Sequence, residues 1–334
     1  MAKIRDIHDS ADYGRVIVDN QLQDLEARIT RVYADASHSM KQKLDNYFDK
    51  YADADKAMRN KVDNNEITMD QYIEWRNKKI MHTEKMTAQI ADLTQTMLHA
   101  DQTAMAMVRE TLPETYATSY NFGGYRGEAY AQAAGIDYTS FTIYNKDTVR
   151  ILAKDNPKLL PDPKVDIPKD KRWNRQHIQS AITQGILQGE SINKISARLL
   201  QVTDMDKKAA IRNARTMVNG VENRGRKDAT ERVVEAGIPM VEVWSATNDD
   251  RTRESHLLLD GKQPNEDGYF DNGCMYPGDP EGAAEEVYNC RCALLSFIKG
   301  IDHSEEVSLN KEMMDGEGFD DWVDSKQNKA NDDN

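Results

Sequence analysis

Several things are scarce in this 334-residue chain, and each scarcity excludes something. It has only three cysteines, all between positions 274 and 292. That is too few and too local for a secreted disulfide framework, so synthesis in a reducing cytoplasm is expected. With 9 prolines and 18 glycines, the chain is neither collagen-like nor low-complexity. Aromatic residues make up 7% and hydrophobic residues 39%, while charged residues reach 30%. That balance favours extended helices over a sandwich or barrel. No apolar run approaches the roughly 20 residues of a membrane span. The opening MAKIRDIHDSADYG lacks an apolar core, so no signal peptide is expected. Positive charge is in deficit: Lys and Arg total 44 against 57 Asp and Glu, a net charge of -13. Because neutralising phosphate needs clustered Lys and Arg, a general nucleic-acid binder is excluded. A weak, local DNA contact through a basic patch remains open.

What the chain does have is helical periodicity. Val18, Leu22, Leu25, Ile29, Val32 and Ala36 step by three and four. After a slip, Met40, Leu44, Tyr47 and Tyr51 continue this heptad-like seam. The polar run Asp63-Asn64-Asn65-Glu66 breaks it, and Thr68 with Gln71 has capping-box spacing. A second stripe follows at Met86, Ile90, Leu93, Met97, Ala100, Ala104 and Met107, and Pro113 is expected to end it. Residues 1–115 therefore read as a long helical hairpin that acts as a spacer or stalk. Residues 116–170 read as a connector. In it, Tyr116, Tyr120, Tyr125 and Tyr130 interleave with glycines, and Pro157, Pro161, Pro163 and Pro168 mark an extended linker.

Helices resume in the third region, 171–300. One is expected over Trp173–Leu187, stopped by Gly189. A second is expected after Ser191, and a third after Thr203, which holds capping-box spacing with Asp206. On this third helix Arg212, Arg215, Asn219, Asn223 and Arg226 form one stripe, turned away from the apolar face. Arg and Asn in a row suggest ordered bonding to acids or backbone carbonyls. The expectation is a clamp on the acidic turn that follows, with phosphate or partner contact as the alternative.

A strand is expected over Met240–Ser245, then a turn in which Asp249 or Asp250 caps a helix running from about Arg251 to Leu259. A long Gly, Pro and Asp loop leads to Cys290-Arg291-Cys292 and a second strand. Arg251, Arg253 and Arg291 are expected to pair with Asp249, Asp250 and Asp260, tying loop to helix. The fold class is mainly α with a small α+β C-terminal module, in which short antiparallel strands flank a Cys/His loop.

The order ARTMVNGVENRGR, EAGIPMVEVWSATNDDRTRESHLLLDGK, PGDPEG, NCRC and a closing strand resembles the Mu F-like minor head proteins of tailed bacteriophages. The stretch RWNRQHIQSAITQGILQGESINKISARLLQV is similar to the middle part of that family. The resemblance covers roughly residues 170 to 298. Met217 stands where that pattern leads one to expect an acidic residue, so no charge role is assigned there. The resemblance implies a structural minor capsid protein of the virion, acting in head morphogenesis at the portal vertex or in the head interior. It also implies assembly in the host cytoplasm, contact with portal, scaffold or major capsid protein, and a part in the fate of DNA on ejection.

Two chemistries compete for the cysteine segment. His256, Cys274, Cys290 and Cys292 form a legitimate tetrahedral set for a structural zinc. However, Cys290 and Cys292 would point to opposite faces of a strand, so both can bind only if the chain turns or bulges there. Without metal, the cysteines are small core residues, and His256 bonds Asp260 or a backbone carbonyl. The other chemistry assembles Asp250, Arg251, His256 and Cys290 into a metal-dependent or Cys–His enzyme acting on DNA or peptidoglycan. Neither a Gly-rich phosphate loop nor an HExxH pattern is present, and the expectation is a non-enzyme. Residues 301–334 are acidic and expected to be largely disordered, with Phe319 and Trp322 as an apolar hook.

Overall fold

A computed structural model of the chain describes residues 13–81, 83–162, 167–299 and 317–332. Ten α-helices and two strands are seen among the described residues. In chain order they are α1 (Tyr13–Asp49), α2 (Ala52–Asp63), α3 (Met69–Arg76), α4 (Glu84–Ala133), α5 (Lys146–Asp155), α6 (Ile167–Leu187), α7 (Ile192–Glu235), β1 (Met240–Ser245), α8 (Glu254–Leu259), α9 (Ala284–Val287), β2 (Ala293–Ile298) and α10 (Glu317–Asp332). A π-helical turn, Asn77–Met81, follows α3. No described helix is long and apolar enough to cross a membrane.

The chain divides into two compact units that are not consecutive in sequence. One holds residues 26–107 and 163–211, the other residues 1–25, 108–162 and 212–334. Each of α1, α4 and α7 gives part of its length to each unit.

The first unit is a helical assembly whose core is built from the stripes. Ile29, Ala36, Met40, Leu44 and Tyr47 of α1 are buried, as are Met86, Ile90, Leu93, Met97, Ala100 and Ala104 of α4. Ile178, Ile182 and Ile186 of α6 and Ile195 and Leu199 of α7 complete it. Polar side chains pin these helices together. Tyr33 donates to Asp101 at 2.7 Å, Asn174 donates to the other oxygen of Asp101 at 2.9 Å, and Ser196 donates to Asp45 at 3.0 Å. Thr68 opens α3 with the full capping box. Gly189 ends α6 in the left-handed region at φ +64, with the paired closing bonds Gly189 N to Ile186 O and Glu190 N to Gly185 O.

The expected helix break at 203–206 is absent, and α7 runs unbroken for 44 residues. The Thr203 hydroxyl donates back to the Leu199 carbonyl at 3.2 Å, the mid-helix alternative to capping. Burial of Leu199, Val202 and Thr203 on this stretch favours continuation over a new start.

The second unit carries the α+β module. Pro113 does not end α4, which continues to Ala133. A proline costs about 3 kcal/mol within a helix, and burial of Leu112, Tyr116, Ala117 and Tyr120 around it offsets that cost. The Tyr/Gly stretch is therefore helical as far as Ala133. Its glycines are points of close approach. A Cβ on Gly123 would lie 2.6 Å from Ala229 Cβ, and one on Gly127 2.4 Å from Val233. The tyrosines pack rather than face solvent: Tyr120 stacks on Tyr144 at 4.4 Å, and Tyr116 donates to Asp228 at 2.6 Å. Part of the proline-rich segment is also helical, since α6 starts at Ile167 with Pro168 in its first turn, where no amide bond is lost.

The two strands form an antiparallel pair, Met240 opposite Ile298 through Ser245 opposite Ala293. Helix α7 backs it, with Thr230 Oγ1 2.7 Å from Ser296 Oγ and Lys227 Nζ 3.2 Å from Glu242. Residues 317–332, where composition suggests disorder, form α10. Phe319 packs edge-on against Phe122 at 5.3 Å, and Trp322 Nε1 donates to Glu128 at 2.7 Å. The acidic residues Glu305, Glu306, Asp315 and Asp333 lie outside the described residues.

Candidate functional site

The site is a buried knot between the ends of the two strands. Trp244, on the last turn of the ladder, is fully buried, and its ring meets His256 and Phe270 edge-on, each at 5.1 Å. After Ser245 the chain leaves the sheet, and the Ala246 amide donates to Asp260 Oδ1 at 2.9 Å.

A turn over residues 247–252 follows, organised by Asp249. Its carboxylate accepts the Arg251 amide at 3.0 Å and both terminal nitrogens of Arg291, at 2.5 and 2.6 Å. This bidentate pairing holds the Asp249 carboxyl well below the usual carboxylate range. Thr247 Oγ1 donates to the Arg291 carbonyl at 2.8 Å, and Thr252 Oγ1 donates to the Thr247 carbonyl.

The helix then starts later than expected. Arg253, in extended conformation, is the N-cap of α8 and makes no side-chain cap, so neither Asp249 nor Asp250 serves as one. Arg253 donates instead to the Tyr288 carbonyl. Of the three expected arginine pairings, Arg291 with Asp249 is the close one. Arg251 reaches Asp249 only at 3.5 Å on the surface, and Asp250 is exposed.

His256 is turned inward on α8 and is 1% exposed. Its Nε2 lies 2.9 Å from Glu286 Oε2, not on Asp260 or a backbone carbonyl. Glu286 comes from α9 and is itself held by Ser255 Oγ at 3.1 Å and Asn272 Nδ2 at 3.3 Å. A carboxylate only accepts, so Nε2 donates to it and Nδ1 faces the other way. There it meets two sulfurs, Cys292 Sγ at 3.4 Å and Cys290 Sγ at 3.7 Å. Both reach one nitrogen because β2 begins only at Ala293. Ahead of it Asn289 adopts φ +61, a left-handed turn that Asn tolerates. The Cys290 amide also closes a turn onto the Val287 carbonyl.

The long loop is shaped by side chains that replace a regular ladder. Asn265 Oδ1 accepts the amides of Asp267 and Tyr269, and the buried Asp279 accepts those of Met275 and Glu281. Those turns deliver Phe270, Cys274 and Tyr276 into the cluster around Trp244. Cys274 belongs to that buried cluster, but not to the group of His256, Cys290 and Cys292, whose ligand atoms all lie within 4.8 Å of one another. Burial, then Asp279 and Glu286, push the Cys274 thiol up to about 12. Between the close pair, the Cys290 thiol donating to Cys292 is the main cause that raises Cys290 and lowers Cys292.

The arginine–asparagine stripe divides. Asn223, fully buried, donates to the carbonyls of Asn219, Pro277 and Cys292 at 2.9, 2.9 and 3.1 Å and accepts the Leu294 amide at 2.7 Å. It thus bonds the Cys segment, not the acidic turn. Arg226 pairs with Glu222 on its own helix at 3.0 Å. Arg212 and Arg215 are exposed, and the buried Asn219 side chain finds no hydrogen-bond partner among the described residues.

Sequence reasoning missed Glu286, Asn272 and Arg15. Arg15 pairs with Glu222 at 3.1 Å and donates to the Arg291 carbonyl at 3.3 Å. The run AEEV just before NCRC is a signal for Glu286. Nothing local signals Arg15, 276 residues from its acceptor.

Chemically, the knot can hold a soft cation or simply pack. A thiolate beside an imidazole is the arrangement of a nucleophile, but Cys292 is 1% exposed and Cys290 3%. No substrate reaches either sulfur without opening the cluster.

Residues 176–295 match the family described as Phage Mu protein F like protein. The chain is 27% identical over 288 residues to Minor head protein GP7 of Bacillus phage SPP1, covering 85% of each. It is 30% identical over 150 residues to NAD(+)--arginine ADP-ribosyltransferase EFV of Enterococcus faecalis, which is 44% of this chain and 31% of that protein. A further 150-residue match, at 27% identity, is to Uncharacterized protein YqbB of Bacillus subtilis, covering 41% of this chain and 48% of that one. No solved structure matches the chain significantly.

Proposed function

We infer that this chain, a Mu F-like minor head protein by its match over residues 176–295, is a structural component of a tailed-phage head that acts in head morphogenesis. The observation that carries this is the likeness to Minor head protein GP7, which extends through 85% of both chains, well beyond the 120 residues of the family match. The proposed place is the portal vertex or the head interior, in contact with portal, scaffold or major capsid protein. Assembly takes place in the host cytoplasm before the virion forms.

A second reading, an enzyme, draws on the Cys292–His256–Glu286 line and on the partial match to the ADP-ribosyltransferase. Burial of both sulfurs weighs against it, and that relative shares only 31% of its length with this chain. The test is co-production with the portal and major capsid proteins of the same phage, followed by gradient sedimentation. The chain is expected to travel with heads or portal oligomers and to show no ADP-ribosyl transfer from NAD+ to arginine. Complete, infectious heads formed with the chain left in the soluble fraction would sink the structural reading. NAD+ turnover abolished by His256→Ala would establish the other.

A further inference from the structure

We propose that His256 Nδ1, Cys290 Sγ and Cys292 Sγ bind one zinc ion, with Glu286 as the residue that positions the imidazole. The distances suit the ion. With Zn–S near 2.3 Å and Zn–N near 2.0–2.1 Å, tetrahedral angles place sulfur and nitrogen ligands about 3.6 Å apart. The two sulfurs lie 3.4 and 3.7 Å from Nδ1.

Two sulfurs, from positions one residue apart, converge on the one ring nitrogen. A metal satisfies all three groups at once. The opposite side of the ring matches as well. A ligating histidine usually donates its second N–H to a carboxylate, which fixes its tautomer and orientation. Glu286 does this at 2.9 Å and is itself tied to Ser255 and Asn272.

The left-handed Asn289 and the late start of β2 are the backbone features that bring both cysteines to one side. Cys274 lies in the surrounding cluster but outside the donor group. The assignment therefore takes three protein donors.

The site also makes sense energetically. The chain from 260 to 283 has no regular secondary structure, being held by side-chain turns. A bound zinc joins α8 to the segment before β2 and closes the whole excursion between the strands.

The test uses the full chain purified without chelator. Elemental analysis is expected to give one zinc per chain. Replacement by cobalt should produce sulfur-to-metal charge-transfer absorption in the wild type and in Cys274→Ser. That absorption should vanish in Cys290→Ser and Cys292→Ser. Glu286→Gln should keep the metal but weaken its affinity about 10–100-fold, as expected for an orienting carboxylate.

Should the cysteine variants fail to fold, the wild type alone decides. Thiol-reagent reactivity of the native protein is expected to rise after chelation and fall again on adding zinc. A metal content near zero, with no uptake of zinc or cobalt by the folded chain, would overturn the proposal. Loss of metal in Cys274→Ser alone would overturn the three-donor assignment.

Discussion

Asn223 and Asn219 sit one helical turn apart on α7, are both buried, and have opposite fates. Asn223 bonds the Pro277 and Cys292 carbonyls and the Leu294 amide around the knot, while the Asn219 side chain bonds none among the described residues. A buried backbone group left without a partner costs far more than a hydrogen bond is worth. Asn223→Ala is therefore expected to cost about 3 kcal/mol in denaturant unfolding, whereas Asn219→Ala should stay within about 1 kcal/mol. Equal losses at both positions would show that α7 docks on the loop through bulk packing, not through Asn223.

Asp206 is a second residue with a legible consequence. Burial, then the nearby Asp101 and Asp170, push its carboxyl up to about 8, and its Oδ2 finds no partner among the described residues. The folded state therefore holds this proton more tightly than the unfolded chain. Stability contributed by the protonated form is complete below about pH 4 and is lost as pH rises towards 8. Asp206→Asn mimics the protonated acid. It should raise stability by roughly 1–3 kcal/mol at pH 9, allowing for the remaining solvent exposure, with little gain at pH 4. Thermal unfolding at the two pH values checks this, and a pH-independent difference would contradict it.

Among elements, α7 and the PGDPEG loop meet backbone to backbone. A Cβ on Gly220 would lie 2.6 Å from the Gly278 carbonyl oxygen, and Gly278 itself has φ +81. The obstacle is backbone, which cannot rotate away as a side chain can. Gly220→Ala gains helix propensity elsewhere in a helix, but here it should destabilise by about 1–3 kcal/mol through overpacking. Calorimetry would reveal the sign, and a stabilised variant would mean that the loop yields freely.

The same reasoning explains why α4 and α7 outrun their local stop signals. Pro113 and the Thr203–Asp206 pair are real local preferences, each worth one to a few kcal/mol. They are outweighed by buried side chains on both flanks.

For the molecule as a whole, charge limits what it can bind. The net charge is -13, and of the arginine–asparagine stripe only Arg212 and Arg215 are exposed. Two such residues give a shallow dependence on salt. Weak retention on DNA at low ionic strength, lost by about 0.15 M salt, is the expected result from DNA-cellulose. Retention that persists there would point to a basic surface built by self-association.

The residues 13–25, 108–162 and 212–299 that surround the knot are far apart in the chain. A reading in consecutive blocks therefore could not foresee that Arg15 braces Arg291 and Glu222. Local chemistry did locate the first strand, the Thr68 capping box and the glycine stops. Each depends on neighbours within a few residues, and hydrophobic period and backbone preference act over that range. By itself, then, the sequence determined the helical stripes, the strand pair and the Mu F-like segment. The tertiary structure decided which helices run on past their stop signals, and that His256 takes Glu286 as its partner, not Asp260. Both are settled by burial against residues distant in the chain. No local preference encodes such contacts, and the free energy of closing them exceeds that of a cap or a single proline.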